Sequence, residues 1–419
     1  MELGFGKETV SCDVSKHNIL GILECGRHDI KPLKYLLEQS LLNPIGKPRL
    51  KELLQRNKPR DLVIIVSDIT RSIADYDKIL SFLVSEIVDA GIDEKNIEFM
   101  VALGTHRKHT PEENKSLFSN LLSDFKFSFH DCHNDLVAIG KTSSGLEVQV
   151  NRRVRAADFV IATGRINFHY LAGFSGGRKS ILPGIASYET IRNNHCKLKR
   201  EGVLLGKIES NIIAQEMAEA AQLFGVDYLV NVIETNDKRV ADVFCGDIIQ
   251  AHKKGIEYFK AEHVSGIDRQ ADCVIISAGG YPKDRTFFNG HKVLNNAVSA
   301  VRRGGSIILV AECPDGVGNP EFERHLVDNN IAELSHFPEA KIEVGGHRAF
   351  QTSRLLEDYK IYVLSKLDPA LLSQMKFTPV KDIDSAIAQV KKDHGQDLKI
   401  YIVPDGRSVL ATVNGRCQN

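Results

Sequence analysis

The chain has no tryptophan and no charge imbalance: its 54 Lys+Arg cancel its 54 Asp+Glu, for a formal net charge of zero. The missing indole decides nothing. The cancelled charge excludes a long-range field that would draw the protein to nucleic acid or anionic lipid, so neither partner is expected. Long apolar runs are absent too. Runs such as 62–66, 274–276 and 307–311 fall far short of the ~20 residues that a membrane-crossing helix needs. Near the start, Glu2, Lys7 and Glu8 stand among glycines where a secretory signal would be apolar, which makes the cytoplasm the expected compartment. The eight cysteines (12, 25, 132, 196, 245, 273, 313 and 417) form no CxxC pair, a distribution typical of reduced thiols in a cytosolic protein.

What is present is a globular composition, 42% hydrophobic and 26% charged, over 419 residues, enough for two or three domains. Short β-branched runs at 61–67, 97–103, 158–162, 228–233, 272–278, 306–311 and 360–364 alternate with stretches of helical period such as 75–90 and 211–225. Such alternation predicts βαβ units, hence an α/β fold of two domains with mostly parallel sheets. The polar stretch 261–269 suggests a boundary, with an N-terminal cofactor-binding and catalytic domain at 1–267 and a C-terminal α/β domain at 268–419. The second would close an interdomain active-site cleft, with the extreme C-terminus packing back on the first. Segments 10–14 and 19–23 read as a β-hairpin.

The most unusual segment is Asn167-Phe-His-Tyr-Leu-Ala-Gly-Phe-Ser-Gly-Gly-Arg-Lys-Ser-Ile-Leu-Pro-Gly184. Its glycines would let backbone N–H groups approach an anion, with Arg178 and Lys179 adding charge, so a phosphate is the expected guest. A tight turn without a ligand is the plainer reading. The segment nearly matches a Walker A loop, but Arg178 stands where the glycine before the lysine belongs, and strand 158–162 ends well before the loop. His169 and His195 flank Lys179, while His106 and the Asp68/Arg71 pair follow strands at their carboxyl ends. In open parallel sheets ligands gather at those ends, so the four segments can share one crevice. Histidine there suits proton transfer or metal ligation, and spacing alone does not choose a cofactor.

These motifs identify a resemblance. Ser67-Asp-Ile-Thr-Arg71, Gly104-Thr-His-Arg107, the His169/Lys179/His195 spacing, Pro183-Gly184, Gly279-Gly-Tyr-Pro-Lys-Asp284 and Lys292 resemble the nickel-dependent lactate racemase family along nearly the whole chain. Members of that family interconvert the stereoisomers of 2-hydroxy acids with a tethered nickel-pincer nucleotide. The resemblance implies a racemase or epimerase working by reversible hydride transfer through a 2-keto acid. Lys179 would carry the cofactor, Ni(II) in a pyridinium-thioamide-thiocarboxylate mononucleotide, and His195 would ligate the metal. His106 and His169 would be the acid–base pair, one for each face of the substrate carbon. Asp68, Ser175, Gly176, Gly177 and Arg178 would contact the cofactor. Arg71 and Lys292 would take the substrate carboxylate, beside Phe288 and Asn289. Cofactor-synthesis enzymes are implied partners.

The chain departs from the family where a Tyr-Gln pair normally precedes the second-domain lysine, having Phe288-Asn289 instead. That removes a hydroxyl and points away from lactate, toward a dicarboxylate, aromatic or sugar acid. His291 is either a further substrate contact or an exposed helix residue. Phe129-His-Asp-Cys-His133 imitates a metal site but lacks ligand spacing and is expected to be structural, while Gly345-Gly-His347 and Cys313–Gly318 read as turns. Two rival functions stand: a P-loop-like NTPase or kinase, and a non-catalytic cofactor-binding family member.

Overall fold

The computed structural model describes residues 1–13, 18–26, 29–336 and 346–413, and the chain divides into two compact units, Arg27–Lys260 and Met1–Gly26 with Ala261–Asn419. Each is an α/β unit built on a six-stranded sheet.

In the first unit the strands lie in the order Val240–Gly246, Tyr228–Glu234, Phe159–Ile166, Leu62–Ser67, Ile97–Ala102, Lys126–Phe129. All pairings are parallel except that of the edge strand Val240–Gly246. Every residue of Leu62–Ser67 is buried, as its unbroken apolar run requires of a central strand covered on both faces. The helix Tyr76–Asp89 covers it with Ile79, Leu80, Leu83 and Ile87. The helix Ile212–Phe224 starts where the Asn211 side chain accepts from the Ala214 N–H and stops at Gly225, in the left-handed region. From Leu62–Ser67 the chain steps outward through Ile97–Ala102 to Lys126–Phe129. It then returns to Phe159–Ile166 on the opposite side, which makes the carboxyl end of the central strands a topological switch point.

In the second unit all six strands are parallel, in the order Thr378–Val380, Lys360–Leu364, Val301–Val310, Ala271–Ser277, Lys399–Val403, Asn18–Ile22. Its core is two apolar layers, one on each side of that sheet.

Three expectations are corrected. The hairpin pairs Glu2–Phe5 with Glu8–Ser11, turning at Gly6, whose φ is +58° and where a Cβ would collide with the Glu312 carboxylate. The residues near 19–23 are not its second arm: Asn18–Ile22 is a parallel edge strand against Lys399–Val403, and Val14 lies outside the described residues. The boundary is therefore not a single cut at 267, because the first 26 residues belong to the second unit, to which this strand and hairpin are bonded. Residues 158–162 were also too short a strand. It continues to Ile166 because Thr163-Gly-Arg-Ile166 pairs with Val230–Ile233, a sheet context that overrides the weak strand preference of Gly164.

Candidate active site

At the switch point two strand ends deliver Asp68 and His106. Asp68 is 1% exposed, and both of its oxygens are engaged: Oδ1 accepts from the Thr70 hydroxyl at 2.8 Å, and Oδ2 accepts from His106 Nδ1 and lies 3.5 Å from the Arg71 guanidinium. Burial pushes this carboxyl up, but the hydrogen bond from His106 and the charge of Arg71 more than reverse it, so Asp68 is held below its ordinary range. An ionised Asp68 on Nδ1 fixes the His106 tautomer and leaves the lone pair on Nε2, on a ring 38% exposed. His109 braces the turn from behind. Its Nε2 accepts from the Ile69 N–H at 2.9 Å, and its Nδ1 donates to Asn114 Oδ1 at 2.9 Å.

The next strand, Phe159–Ile166, runs into a two-residue-a-side hairpin, Phe168–His169 with Gly173–Phe174, and then a buried 3-10 turn, Gly177–Ser180. Lys179 Nζ lies 2.8 Å from His169 Nε2. On the other side of that ring, Nδ1 accepts from the N–H groups of Leu171 and Ala172 at 3.3 and 3.2 Å. The Lys179 carbonyl accepts from Gly184 N–H, and the Gly184 carbonyl accepts from Gly104 N–H, each at 3.0 Å. The lysine turn and the His106 loop are thus stitched together by backbone.

The glycine loop is not the open phosphate cradle expected. Gly177 N–H donates to the buried Asn231 Oδ1 at 2.8 Å, and the Ser175 hydroxyl donates to the Arg165 carbonyl at 2.8 Å. Gly176, at φ +80°, packs so tightly that a Cβ would meet Asn231 Oδ1 at 2.7 Å. Arg178 is 2% exposed and turns inward, donating to the Ala172 carbonyl at 2.7 Å and to His252 Nδ1 at 3.1 Å. His252 Nε2 in turn donates to the Ser175 carbonyl at 2.8 Å. Burial, then the Arg178 charge, pull His252 down to about 3, and burial lowers Arg178 to about 10. The glycines serve close packing, and Ser175 to Arg178 set the position of Lys179. Likewise Asp68 is committed to His106 and Arg71 rather than to a cofactor.

His195 ends the helix Tyr188–His195, whose first turn is capped by Ser187. Its Nδ1 donates to Asn194 Oδ1 at 3.2 Å; Asn194, fully buried, donates to Glu216 Oε2 at 2.8 Å. Glu216 is also fully buried and accepts from Lys197 and Ser144. This carboxylate–amide–imidazole chain leaves the lone pair of His195 on Nε2, the state a metal ligand requires. Among the described residues no three His, Cys, Asp or Glu side chains gather as a metal cage. One oriented imidazole and one buried amine fit a metal whose other ligands arrive with an attached group.

In the second unit, Lys292 Nζ donates to Asn289 Oδ1 at 2.8 Å and lies 5.5 Å from the centroid of the Phe288 ring. His291 is neither exposed nor turned outward: it is 2% exposed, donates from Nδ1 to the Phe287 carbonyl at 3.0 Å and stacks near Phe322.

Residues 5–204 match the Lactate racemase N-terminal domain, and residues 267–411 match the Lactate racemase C-terminal domain. A lactate racemase from Thermoanaerobacterium thermosaccharolyticum is 32% identical over 98% of both chains, and one from Lactiplantibacillus plantarum is 31% identical over 98% of this chain and 99% of its own. The chain belongs to the lactate racemase family. The fold agrees: the solved lactate racemase apoprotein from T. thermosaccharolyticum superposes with a TM-score of 0.91 at 30% identity, covering 98% of this chain and 99% of that one. A Thermotoga maritima protein at 18% identity and a TM-score of 0.62 shares the fold alone.

As a lactate racemase family member the chain is an isomerase. The nucleotide-hydrolase alternative has no support in the geometry, because the lysine turn follows a hairpin and starts a buried 3-10 turn instead of linking a strand to a helix. Sequence reasoning missed His109, Asn194, Glu216, Asn231 and His252. Only Glu216 left a signal, as an acid on the apolar face of the helix it shares with Ile213, Met217 and Ala220. His130 is structural, 2% exposed, and donates to the Ala186 carbonyl at 2.9 Å. His347 begins a helix instead of sitting in a turn, and Gly345 and Cys417 lie outside the described residues.

Proposed function

We propose that this racemase inverts the 2-carbon of a 2-hydroxy acid other than lactate, using Ni(II) in a pyridinium-thioamide-thiocarboxylate mononucleotide joined to Lys179 and ligated by His195. That group would supply, when bound, a reversible hydride acceptor for the 2-carbon, which would make a 2-keto acid the transient form of the substrate. The observation that carries the reading is the Asp68–His106 pair. It presents a bare Nε2 at a strand end, the base needed to take the hydroxyl proton as the hydride leaves. Asp68 holds the ring and stabilises the imidazolium once the proton has moved.

His169 is assigned to the opposite face. Its Nδ1 is turned to two backbone N–H groups, so Nε2 carries the proton and donates it toward Lys179. For His169 to receive a proton at Nε2 in turnover, the ring must exchange tautomers and the Leu171 and Ala172 N–H groups must move off Nδ1. Arg71, 34% exposed and steadied by Asp68, is suited to pair with a substrate carboxylate through two parallel hydrogen bonds. Lys292, Phe288 and Asn289 are assigned to substrate recognition, and the phenyl ring supports a substrate other than lactate because it offers no hydroxyl.

The test is intact mass and chiral analysis of protein produced together with cofactor-synthesis enzymes and nickel. An adduct absent from Lys179→Ala, and loss of optical purity by at least one single-enantiomer 2-hydroxy acid, are expected. No adduct and no racemised acid would overturn the reading.

A further inference from the structure

The 3-10 turn Ile69–Arg71 is started by an aspartate that does not cap it. An aspartate at a helical start ordinarily turns its carboxylate onto backbone N–H groups of the first turn, yet Asp68 makes no such bond. Its oxygens are given instead to Thr70, His106 and Arg71. The Ile69 N–H, next to that carboxylate along the chain, donates to His109 Nε2 at 2.9 Å. Elsewhere in this unit the same backbone position is filled by the preceding side chain. Val243 N–H donates to Asp242 Oδ1 at 2.8 Å, and Phe168 N–H to Asn167 Oδ1 at 2.7 Å. His109 thus holds an N–H that the Asp68 carboxylate could take. The ring is prepared to accept there: its Nδ1 donates to Asn114 Oδ1 at 2.9 Å, which leaves the lone pair on Nε2. Asn114 lies on the helix Pro111–Phe118, whose start is locked by a reciprocal Thr110–Glu113 box and a proline. Phe118, near-parallel with centroids 6.5 Å apart, and Phe129, edge-on at 6.0 Å, flank the imidazole.

We propose that His109 is a positioning residue: by holding the Ile69 N–H it keeps the Asp68 carboxylate on His106 Nδ1, and so keeps the His106 lone pair on Nε2. The inference rests on the proposed role of His106 as base for its effect on rate, and on the hydrogen bonds alone for its effect on the tautomer. A backbone N–H deprived of its acceptor is costly and recruits another. With no acceptor at residue 109, the carboxylate of the preceding residue meets that demand, as Asp242 does for Val243. An Asp68 oxygen drawn into its own turn no longer anchors the imidazole proton, and the His106 ring is then released to carry it on Nε2, where a base needs a lone pair.

The experiment reads the His106 tautomer from the imidazole nitrogen chemical shifts of the full-length protein, at a pH where the ring is neutral, and pairs it with kcat of the cofactor-loaded enzyme. His109→Phe and His109→Leu fill the space beside Phe118 and Phe129 but offer no acceptor, whereas the amide oxygen of His109→Gln can take the place of Nε2. Wild type and His109→Gln are expected to hold the His106 proton on Nδ1. The Phe and Leu variants should show a mixture with the Nε2–H form and lose about 10²-fold in kcat, most of it recovered in His109→Gln. A proton that stays on Nδ1 in either acceptor-free variant would overturn the proposal, whatever the activity. A shifted tautomer with unchanged kcat would sustain the positioning role and sink His106 as the base. Should wild type racemise no acid, the racemase reading falls and the tautomer alone decides for or against His109.

Discussion

Whether an imidazole works as a base depends on which of its nitrogens is already engaged, and the two histidines of this site are engaged oppositely. His106 gives its Nδ1 proton to Asp68, whereas His169 receives protons at Nδ1 from backbone. Asp68→Asn should therefore cost far more than a neighbouring charge would: an amide can donate to Nδ1 and trap the wrong tautomer. A fall of about 10³–10⁴ in racemisation rate, with secondary structure unchanged by circular dichroism, is expected. A loss below tenfold would show that Asp68 does not orient the base. The motifs carrying Asp68, Arg71, His106, His169, Lys179 and His195 stand out in the sequence, and the first three follow strand ends as expected. Their partnerships do not. Asp68 meets His106 only when two neighbouring parallel strands bring residues 38 positions apart into contact, and nothing local encodes that.

At the scale of elements, the lysine turn is held by a helix that the sequence reading gave no role. His252, on Gln250–His263, ties Arg178 to the Ser175 carbonyl. Removing it in His252→Ala leaves a buried guanidinium nitrogen and a carbonyl without partners, at a cost of about 2–4 kcal/mol, to be read from the urea midpoint. The helix that carries His195 depends in the same way on Glu216. Glu216→Ala should lower nickel affinity by about 10- to 100-fold, measured as metal content against added chelator, while the mass adduct on Lys179 persists. Equal nickel retention would remove Glu216 and Asn194 from the support of His195. Strand and helix positions were readable from periodicity, but Lys126–Phe129, Val240–Gly246, Thr378–Val380 and Lys399–Val403 were not proposed from it, being short, polar-flanked or at a sheet edge.

The whole molecule carries a pH dependence of defined sign. His130 and His252 in one unit, and His291 and His347 in the other, are all held below the usual histidine range, chiefly by burial. Each takes up a proton on unfolding between its folded value and about 6.5, so its contribution is complete above about pH 6.5 and is lost as the pH falls. The slope is about 1.4 kcal/mol per pH unit for each such group. Asp68 acts in a lower window, its stabilisation fading only as the pH drops through its depressed folded value. A urea midpoint at pH 5 no lower than at pH 7.5 would contradict this. Removing residues 1–26 should unfold the second unit and spare Arg27–Lys260, because the sheet loses the strand Asn18–Ile22 and Asp284 loses the Gly6 N–H it accepts at 2.7 Å.

That strand also has a history in time. Asn18–Ile22 leaves the ribosome well before its neighbour Lys399–Val403 is made. At about 5–20 residues per second, roughly 20–80 s separate the two. Throughout that interval the nascent chain trails an unmatched strand, and from residue 260 onward the first unit has all its own pieces while that strand still waits. Slow translation or a bulky N-terminal fusion should thus harm the yield of this enzyme more than the same fusion placed at the other end.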